Sequence, residues 1–317
     1  MATTVEQFCR SMLASMDTDA GFLNCVKWTD ERYRELCSRF RPRHLRKIGE
    51  VYLNPDVSTG TVTVTSGTTA VTGTSTTWAT LPTTTCVATN WYFRTDAVWY
   101  QVAAFSSNTE LTLSTSFVEP TVTTGSYNLV QRFHSLSTGA RWLGDFVNTR
   151  LRYKIDSVNM GQLDREAPGR MLISYPQVVA QQGVDSSGAI QVEFYPYADN
   201  PELIHYIYWD APAALTIAST LPLQIDPYVL KEGVLIDLYR YMKARALDNN
   251  KVDVAAVYRN DEQAQRSRWE NAIQQAHRAD KGMDDTTFIL KHFGTPTPGQ
   301  DVVTARDEVY IRGNRSW

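Results

Sequence analysis

The sequence predicts an α+β protein. Its expected parts are a helical-bundle core with a long helical hairpin and a small antiparallel sheet, and an inserted small β-sandwich or barrel. Three observations carry this. Residues 226–281 hold apolar stripes at helical period, broken once by turn residues. Residues 57–127 hold 22 threonines and only four charged residues, with apolar and polar positions alternating as in strands. Residues 178–209 hold three short strand-like runs.

The first element is an amphipathic helix from Thr4 to about Ser15. Val5, Phe8, Met12 and Leu13 share one side, and Thr3 or Thr4 supplies the N-cap. Thr29 is expected to head a second helix, with Tyr33, Leu36 and Phe40 on one face. Arginines crowd this stretch: Arg32, Arg34, Arg39, Arg41, Arg43 and Arg46, followed by Lys47. Two readings stand. Arg32, Arg39, Arg41 and Arg43 form an anion- or partner-facing patch, or they belong to a solvated helix face partly paired with Glu31 and Glu35.

At Tyr52 the composition changes. Val62 and Val64 alternate with Thr61, Thr63 and Thr65, Ser66-Gly67 marks a hairpin turn, and Val71 continues on the return strand. Trp91-Tyr92-Phe93, a turn at Thr95-Asp96 and Val98 to Val102 suggest a second hairpin. Leu111 and Leu113 alternate again, and Tyr127 to Val130 closes the unit. Six or so short strands imply a small sandwich or barrel. Its ends at Tyr52 and Val130 are expected to lie close together, because it interrupts a helical frame.

From Arg132 the text turns helix-like, with Trp142, Phe146, Leu151, Tyr153 and Ile155 as apolar anchors. Asp156 or Ser157 is expected to cap a short helix that reaches Asp164. The runs at Val178-Val179, Ile190 to Phe194 and Leu203 to Trp209 read as a half-buried three-stranded sheet, with a turn at Asp185-Ser186-Ser187-Gly188.

The hairpin follows. Asp226 before Pro227 is an N-cap and first-turn pair. Leu230, Val234, Leu238 and Met242 follow four apart, flanked by Val229, Leu235 and Tyr241. Asp248-Asn249-Asn250 breaks the stripe, and Val254, Tyr258, Gln265, Trp269, Ile273 and Ala276 begin another. Each helix is expected to run roughly 35–40 Å at about 1.5 Å per residue. Such a pillar packs on its own domain and on a neighbour, so Leu238, Met242, Tyr258 and Trp269 are candidate interface residues. After Gly282, Thr295-Pro296-Thr297-Pro298-Gly299 excludes helix, and residues 282–317 read as an extended docking arm. Tyr310, Arg312 and Trp317 are its candidate contacts. The expected domains are therefore 1–52 with 132–281, the insert 53–131, and the arm 282–317.

Other classes find little support. A net charge of −3 argues against a bulk polyanion clamp. Cys9, Cys25, Cys37 and Cys86 show neither CxxC nor histidine partners at ligand spacing, so reduced thiols and no structural zinc are expected. No apolar run approaches the roughly 20 residues that span a bilayer, and the N-terminus does not read as a signal peptide. His44, His134, His205, His277 and His292 are scattered, and no HExxH, GxSxG, phosphate loop or GxGxxG is present. No catalytic, metal or cofactor-binding residue is expected, and no cofactor. Trp91, Tyr92, Trp99 and Tyr100 suit a sugar platform or core and edge packing; in a small β-unit packing is the commoner role.

The stretch GTVTVTSGTTAVTGTSTTWAT resembles the Thr/Gly-rich β-module inserted in many tailed-bacteriophage structural proteins. The frame around it is similar to the phage head-to-tail (portal) adaptor, or connector, family. The likeness lies in the N-terminal helix pair, the Ser157 to Pro168 segment, YPQVVAQQG, the Phe194-Tyr195-Pro196 to Tyr208-Trp209 portion, and the 226–281 hairpin. The resemblance implies a helical adaptor core and a non-enzymatic virion protein of the neck or tail, assembled in the host cytoplasm. It implies a homo-oligomeric ring, of 12 copies, below the portal protein and above a tail nozzle or tail-tube protein. Genomic DNA would transit the lumen without specific binding, and the β-module would meet tail fibres. The alternatives are another neck or tail component, such as a head-completion protein, or a virion protein that binds or degrades glycans.

Overall fold

The computed structural model describes residues 3–16, 20–78, 81, 88–222, 225–281, 300–305 and 308–313. The chain divides into two compact units, Met1–Arg46 with Ala211–Trp317, and Lys47–Asp210.

The first unit is helical. Helix α1 (Val5–Met16) opens on a reciprocal cap: Thr4 Oγ1 accepts from Gln7 N, and Gln7 Oε1 accepts from Thr4 N, each at 3.2 Å. Val5, Phe8, Cys9 and Met12 are its buried face. Helix α2 (Phe22–Phe40) begins seven residues before the expected start at Thr29. Thr29 lies mid-helix, fully buried, and its hydroxyl donates to Cys25 O at 2.8 Å. That internal bond satisfies a residue type usually found at caps. The helix ends at Arg41, held at φ 55°, just before Pro42.

After α2 the sequence enters the second unit, and the chain returns here at residue 211. Two long antiparallel helices then follow, numbered α4 (Pro227–Asp248) and α5 (Val252–Lys281) because α3 belongs to the second unit. Asp226 caps α4 as expected, its Oδ1 accepting from Tyr228 N at 2.9 Å. The run Glu232 to Leu238 is buried all round, which makes α4 the central helix of its unit. Helix α5 has 30 residues, so it extends about 45 Å at 1.5 Å each. It buries one stripe only: Ala255, Glu262, Gln265, Trp269, Ala272 and Ile273.

The second unit overturns the expected fold class. In place of a helical-bundle core with a small sheet, it holds two seven-stranded sheets, and the protein is mostly β, with five α-helices among the described residues. The Thr-rich sheet comprises β2 (Thr61–Val64), β3 (Ala70–Thr74), β4 (Trp91–Arg94), β5 (Tyr100–Phe105), β6 (Glu110–Leu113), β7 (Val122–Gly125) and β8 (Asn128–Gln131). Their order is β7-β2-β3-β6-β5-β4-β8, and every pair is antiparallel. The edge strands β7 and β8 are consecutive in the chain, so two residues carry the backbone from one edge to the other and the sheet must curl. Inside lie Val62, Val64, Val71, Trp78, Trp91, Phe93, Leu111, Leu113, Phe117 and Leu129, while alternate threonines face outward. Each large side chain buried there contributes roughly 1.5–3 kcal/mol.

The other sheet comprises β1 (Arg46–Leu53), β9 (Phe133–Ser135), β10 (Ala140–Asn148), β11 (Tyr153–Asn159), β12 (Val178–Val184), β13 (Ile190–Tyr195) and β14 (Glu202–Asp210), in the order β1-β14-β10-β11-β12-β13-β9. Strands β11 and β12 run parallel, joined through α3 (Met160–Glu166). Asn159 caps α3, where Asp156 or Ser157 was expected; those two lie within β11. Val51 and Leu53 of the outermost strand β1 share one core with Leu136, which directly follows β9, and Val192 of β13. Beyond them Asn54 Nδ2 donates to Gln131 Oε1 at 2.6 Å. The ends of the Thr-rich segment therefore meet.

The helix-like text after Arg132 is strand. Trp142 and Phe146, four apart, both lie in β10, whose pairing with β14 shifts register between Ala140 and Trp142 and again between Leu143 and Phe146. Each shift adds a residue to the period of two, and a bulged strand then imitates helical spacing. In the C-terminal region β15 (Gln300–Ala305) and β16 (Glu308–Gly313) pair with each other as an antiparallel hairpin.

Candidate functional site

Helical packing divides the four expected interface residues of the hairpin into two kinds. Leu238 is fully buried within the chain, in a cluster with Ala20 and Leu235 that Trp28, Tyr241 and Met242 cover. Trp269 is 2% exposed and lies against α4 at Gly233. Met242 and Tyr258 are half-buried. Of the exposed apolar side chains on the hairpin, Leu247, Val252, Val254 and Val257, the last 56% exposed, lie at its turn end, and Tyr228 lies in the first turn of α4. Tyr310 and Arg312 lie on β16, and Trp317 lies outside the described residues.

The arginine-rich run is an internal staple for the helices. Arg32 makes a two-pronged bond to Asp237 on α4, Nε to Oδ2 at 2.6 Å and a terminal nitrogen to Oδ1 at 2.7 Å. Its other terminal nitrogen meets Glu35 at 2.6 Å. Burial pulls the Arg32 pKa down, but Asp237 and Glu35 outweigh it and hold the pKa above its ordinary value. Arg39 donates to both Glu270 oxygens, at 2.7 and 2.8 Å, and to Glu35 at 2.5 Å. Arg41 forms the left-handed end of α2, and the Arg43 N–H reaches Asp280 at 3.4 Å. Thus α2 is tied to both hairpin helices through the residues that read as an anion patch, and Arg32 turns inward.

Two further carboxylates brace the hairpin. Glu232 accepts from Gln265. Glu262 accepts from Lys243 at 2.6 Å and Arg266 at 2.8 Å, with Arg240 at 3.4 Å. Burial favours the protonated form of Glu262, yet these cations prevail and lower its pKa to about 2. The legible signal for such pairs was an acid inside an apolar run: Asp237 sits in VLIDLYRY.

In the sheet unit a buried polar cluster escaped the sequence reading. Glu193, fully buried on β13, accepts from Arg132 Nε at 2.8 Å and from Tyr197 Oη at 3.0 Å. Arg170 Nε lies 2.7 Å from the same Oε1, an ion pair whose N–H is not aimed at the oxygen. Burial, then the Glu193 charge, pushes the Tyr197 hydroxyl pKa far up. Strand alternation puts Glu193 opposite Val192 and Phe194, a position that ordinarily meets water. Here the 167–173 segment covers it. Trp99 holds that segment, its Nε1 donating to Gly169 O at 3.2 Å and Arg170 O at 3.3 Å, with the Arg94 guanidinium 4.5 Å over its ring.

The aromatic residues do not form a platform. Trp91 and Tyr100 are buried, Tyr92 stacks under Arg132, and Trp99 meets Tyr197 edge to face. Among the histidines, His134 is buried edge-on to Phe194. Desolvation lowers its pKa to about 4. His205 Nε2 lies 3.1 Å from Glu50 Oε1. Among the described residues no group of histidine, cysteine, aspartate and glutamate has metal-binding geometry, and no helix is long and apolar enough to cross a membrane. Exposed apolar side chains occur in both units, among them Leu23, Val118, Val184 and Tyr228, and four of them, Leu247, Val252, Val254 and Val257, lie together at the hairpin turn. No protein-family model matches the chain, and no curated protein matches it.

Proposed function

We propose that this chain is a structural, non-enzymatic virion protein that joins a phage portal to the tail as one subunit of a ring. The carrying observation is the contrast along the α4–α5 hairpin. Its middle is enclosed and stapled by ion pairs, whereas its turn end exposes Leu247, Val252, Val254 and Val257. A rigid pillar with an uncovered apolar end suits a subunit that completes its burial on a neighbour. The resemblance of the Thr-rich module and of the frame to phage head-to-tail proteins supplies the partners: portal above, tail nozzle or tube below, DNA through the lumen. Net charge −3 agrees with a lumen that does not hold phosphates. Within this reading the contact residues are the exposed turn residues with Met242 and Tyr258; Leu238 and Trp269 support them from inside.

Negative-stain imaging and mass measurement of the protein mixed with portal test the reading. A cyclic complex on the portal is expected. A chain that stays monomeric both alone and with portal overturns it. Incubation with cell-wall glycans separates the glycan-binding alternative, since an adaptor neither binds nor cleaves them.

A further inference from the structure

The two units carry opposite net charge. The sheet unit holds 14 acidic and nine basic residues, and the helical unit holds 20 and 22. Two surfaces concentrate this difference, and each sets apolar side chains beside its charges.

The first lies on the hairpin, toward its turn. Lys243, Arg266 and Arg240 close on Glu262 at 2.6, 2.8 and 3.4 Å. Arg32 and Arg39 extend this network to Glu35, Asp237 and Glu270, and its five cations outnumber its four carboxylates. Arg259 is exposed and stands seven residues before Arg266, so it adds positive charge on the same helix face. Val252, seven residues further back and 67% exposed, continues that face to the turn, where Leu247 of α4 is also exposed. Asp248 and Asp253 are the acids of the turn itself.

The second surface lies on the Thr-rich sheet. Glu119 Oε1 accepts from Ala97 N at 3.0 Å and from Val98 N at 3.1 Å, which joins the β4–β5 turn to the segment 117–120. Val118, 73% exposed, and Val98 stand there, with Asp96 exposed beside them. From Val57 to Tyr127 the one cation is Arg94, which is buried against Met171 and Trp99. The exposed charges of this segment, Asp96 and Glu110 among them, are therefore acids.

We propose that these two surfaces meet between copies: the hairpin turn of one chain seats on the Val98–Val118 face of the next chain's Thr-rich sheet. The inference rests on the ring reading and names the surface that receives the hairpin. Because the two surfaces differ, the contact runs head to tail and repeats from copy to copy, as a ring requires. Leu247 and Val252 cover Val98 and Val118, while Arg259 and Arg266 lie against Asp96 and Glu119. Apolar burial holds the contact, and charge sets its direction. Hairpin on hairpin would oppose cations, and sheet on sheet would oppose acids. The apolar side chains beside the cations also select a protein face, since a phosphate backbone gives them nothing to cover.

Cross-linking of separate variants tests the contact. Full-length Val118→Cys and Val252→Cys are prepared apart, mixed, joined with a short bis-maleimide and digested with trypsin. Cuts after Arg94, Arg132, Lys251 and Arg259 leave each new thiol as the one cysteine of its peptide, residues 95–132 and 252–259. The expected product joins these two peptides, which come from different molecules, and its yield falls as salt is raised. In sedimentation of the chain without new cysteines, Arg259→Glu or Asp96→Lys should each weaken self-association about tenfold, and the two together should restore it. Absence of the mixed link, either peptide joined only to its own kind, or additive losses in the double charge variant overturns the proposal. So does duplex DNA binding that Arg259→Glu abolishes while no mixed link forms, which assigns the basic face to a phosphate backbone. Portal binding is measured on the same preparations. Portal bound without the mixed link rejects this contact alone, and the mixed link without portal binding rejects the portal reading alone.

Discussion

The Trp269 indole rests on Gly233: a β-carbon at residue 233 would lie 3.0–3.1 Å from three of its ring carbons. The pair fixes how closely α4 and α5 approach. Glycine within a helix costs about 1 kcal/mol relative to alanine. Close packing of a buried tryptophan offsets that cost here.

The usual sign of a helical Gly→Ala change should therefore reverse. Gly233→Ala is expected to lose about 1–3 kcal/mol through overpacking, and Trp269→Ala about 3–5 kcal/mol through the cavity left behind. The double variant should lose less than the sum, since the cavity accepts the new methyl. Denaturant titrations followed by helical circular dichroism measure all three. A stabilised Gly233→Ala protein would show that the two helices separate easily.

Glu262 predicts an acid-sensitive hairpin. Its folded pKa of about 2 lies below the ordinary 4.5, so the unfolded chain takes up a proton first as the pH falls. The contribution is complete above about pH 4.5 and is lost as pH falls through 2. Glu262→Gln should be less stable than wild type at neutral pH and equal to it near pH 2. Parallel pH titrations of helical stability check this, and a constant gap between the two proteins over that range would contradict it.

The parts legible in sequence were those in which one local cause acts alone. Asp226 before Pro227 starts α4, Thr4 caps α1, and Val62, Val64 and Val71 alternate because their sheet buries one face. Helix α2 hides its start, since Gly21 offers no side-chain cap. Strand β1 reads as a continuation of the arginine run, and the bulges of β10 mask its period. In the candidate site, Leu238 and Trp269 were recognisable as apolar, but whether they turn inward or outward depends on the distant α2 and on Gly233. Glu193 was invisible for a similar reason. Its partners Arg132 and Arg170 lie 61 and 23 positions away along the chain, and only the fold brings them together.

His134 makes the sheet unit sensitive at milder pH. Desolvation holds its folded pKa at about 4, against 6.5 ordinarily. The unfolded chain therefore protonates first, and stability present above about pH 6.5 declines until pH 4. The span corresponds to about 3 kcal/mol at 1.36 kcal/mol per pH unit. His134→Gln should flatten this slope while lowering stability at neutral pH through lost packing on Phe194. Urea unfolding at a series of pH values, followed by tryptophan fluorescence, measures the slope. An unchanged slope in His134→Gln would assign it to another group.

Glu193 gives a large expected single effect in the sheet unit. It is fully buried, and two guanidiniums and a phenol converge on it. Removing the carboxylate strands Arg132, 21% exposed, without its anion and leaves Arg170, 5% exposed, with the exposed Asp164 alone. Breaking a buried pair in this way costs about 3–5 kcal/mol, more than the pair contributes relative to apolar residues of similar size. Glu193→Ala should therefore unfold the sheets at much lower urea while the helical signal persists to higher urea. Glu193→Gln keeps an acceptor for Arg132 and Tyr197 and should lose less. The decisive comparison is Glu193→Leu with Arg132→Met: if charge burial sets the cost, the double variant recovers part of what Glu193→Leu loses. If instead the cost is shape alone, the two substitutions add. Unfolding curves read separately by tryptophan fluorescence and by helical circular dichroism distinguish these outcomes.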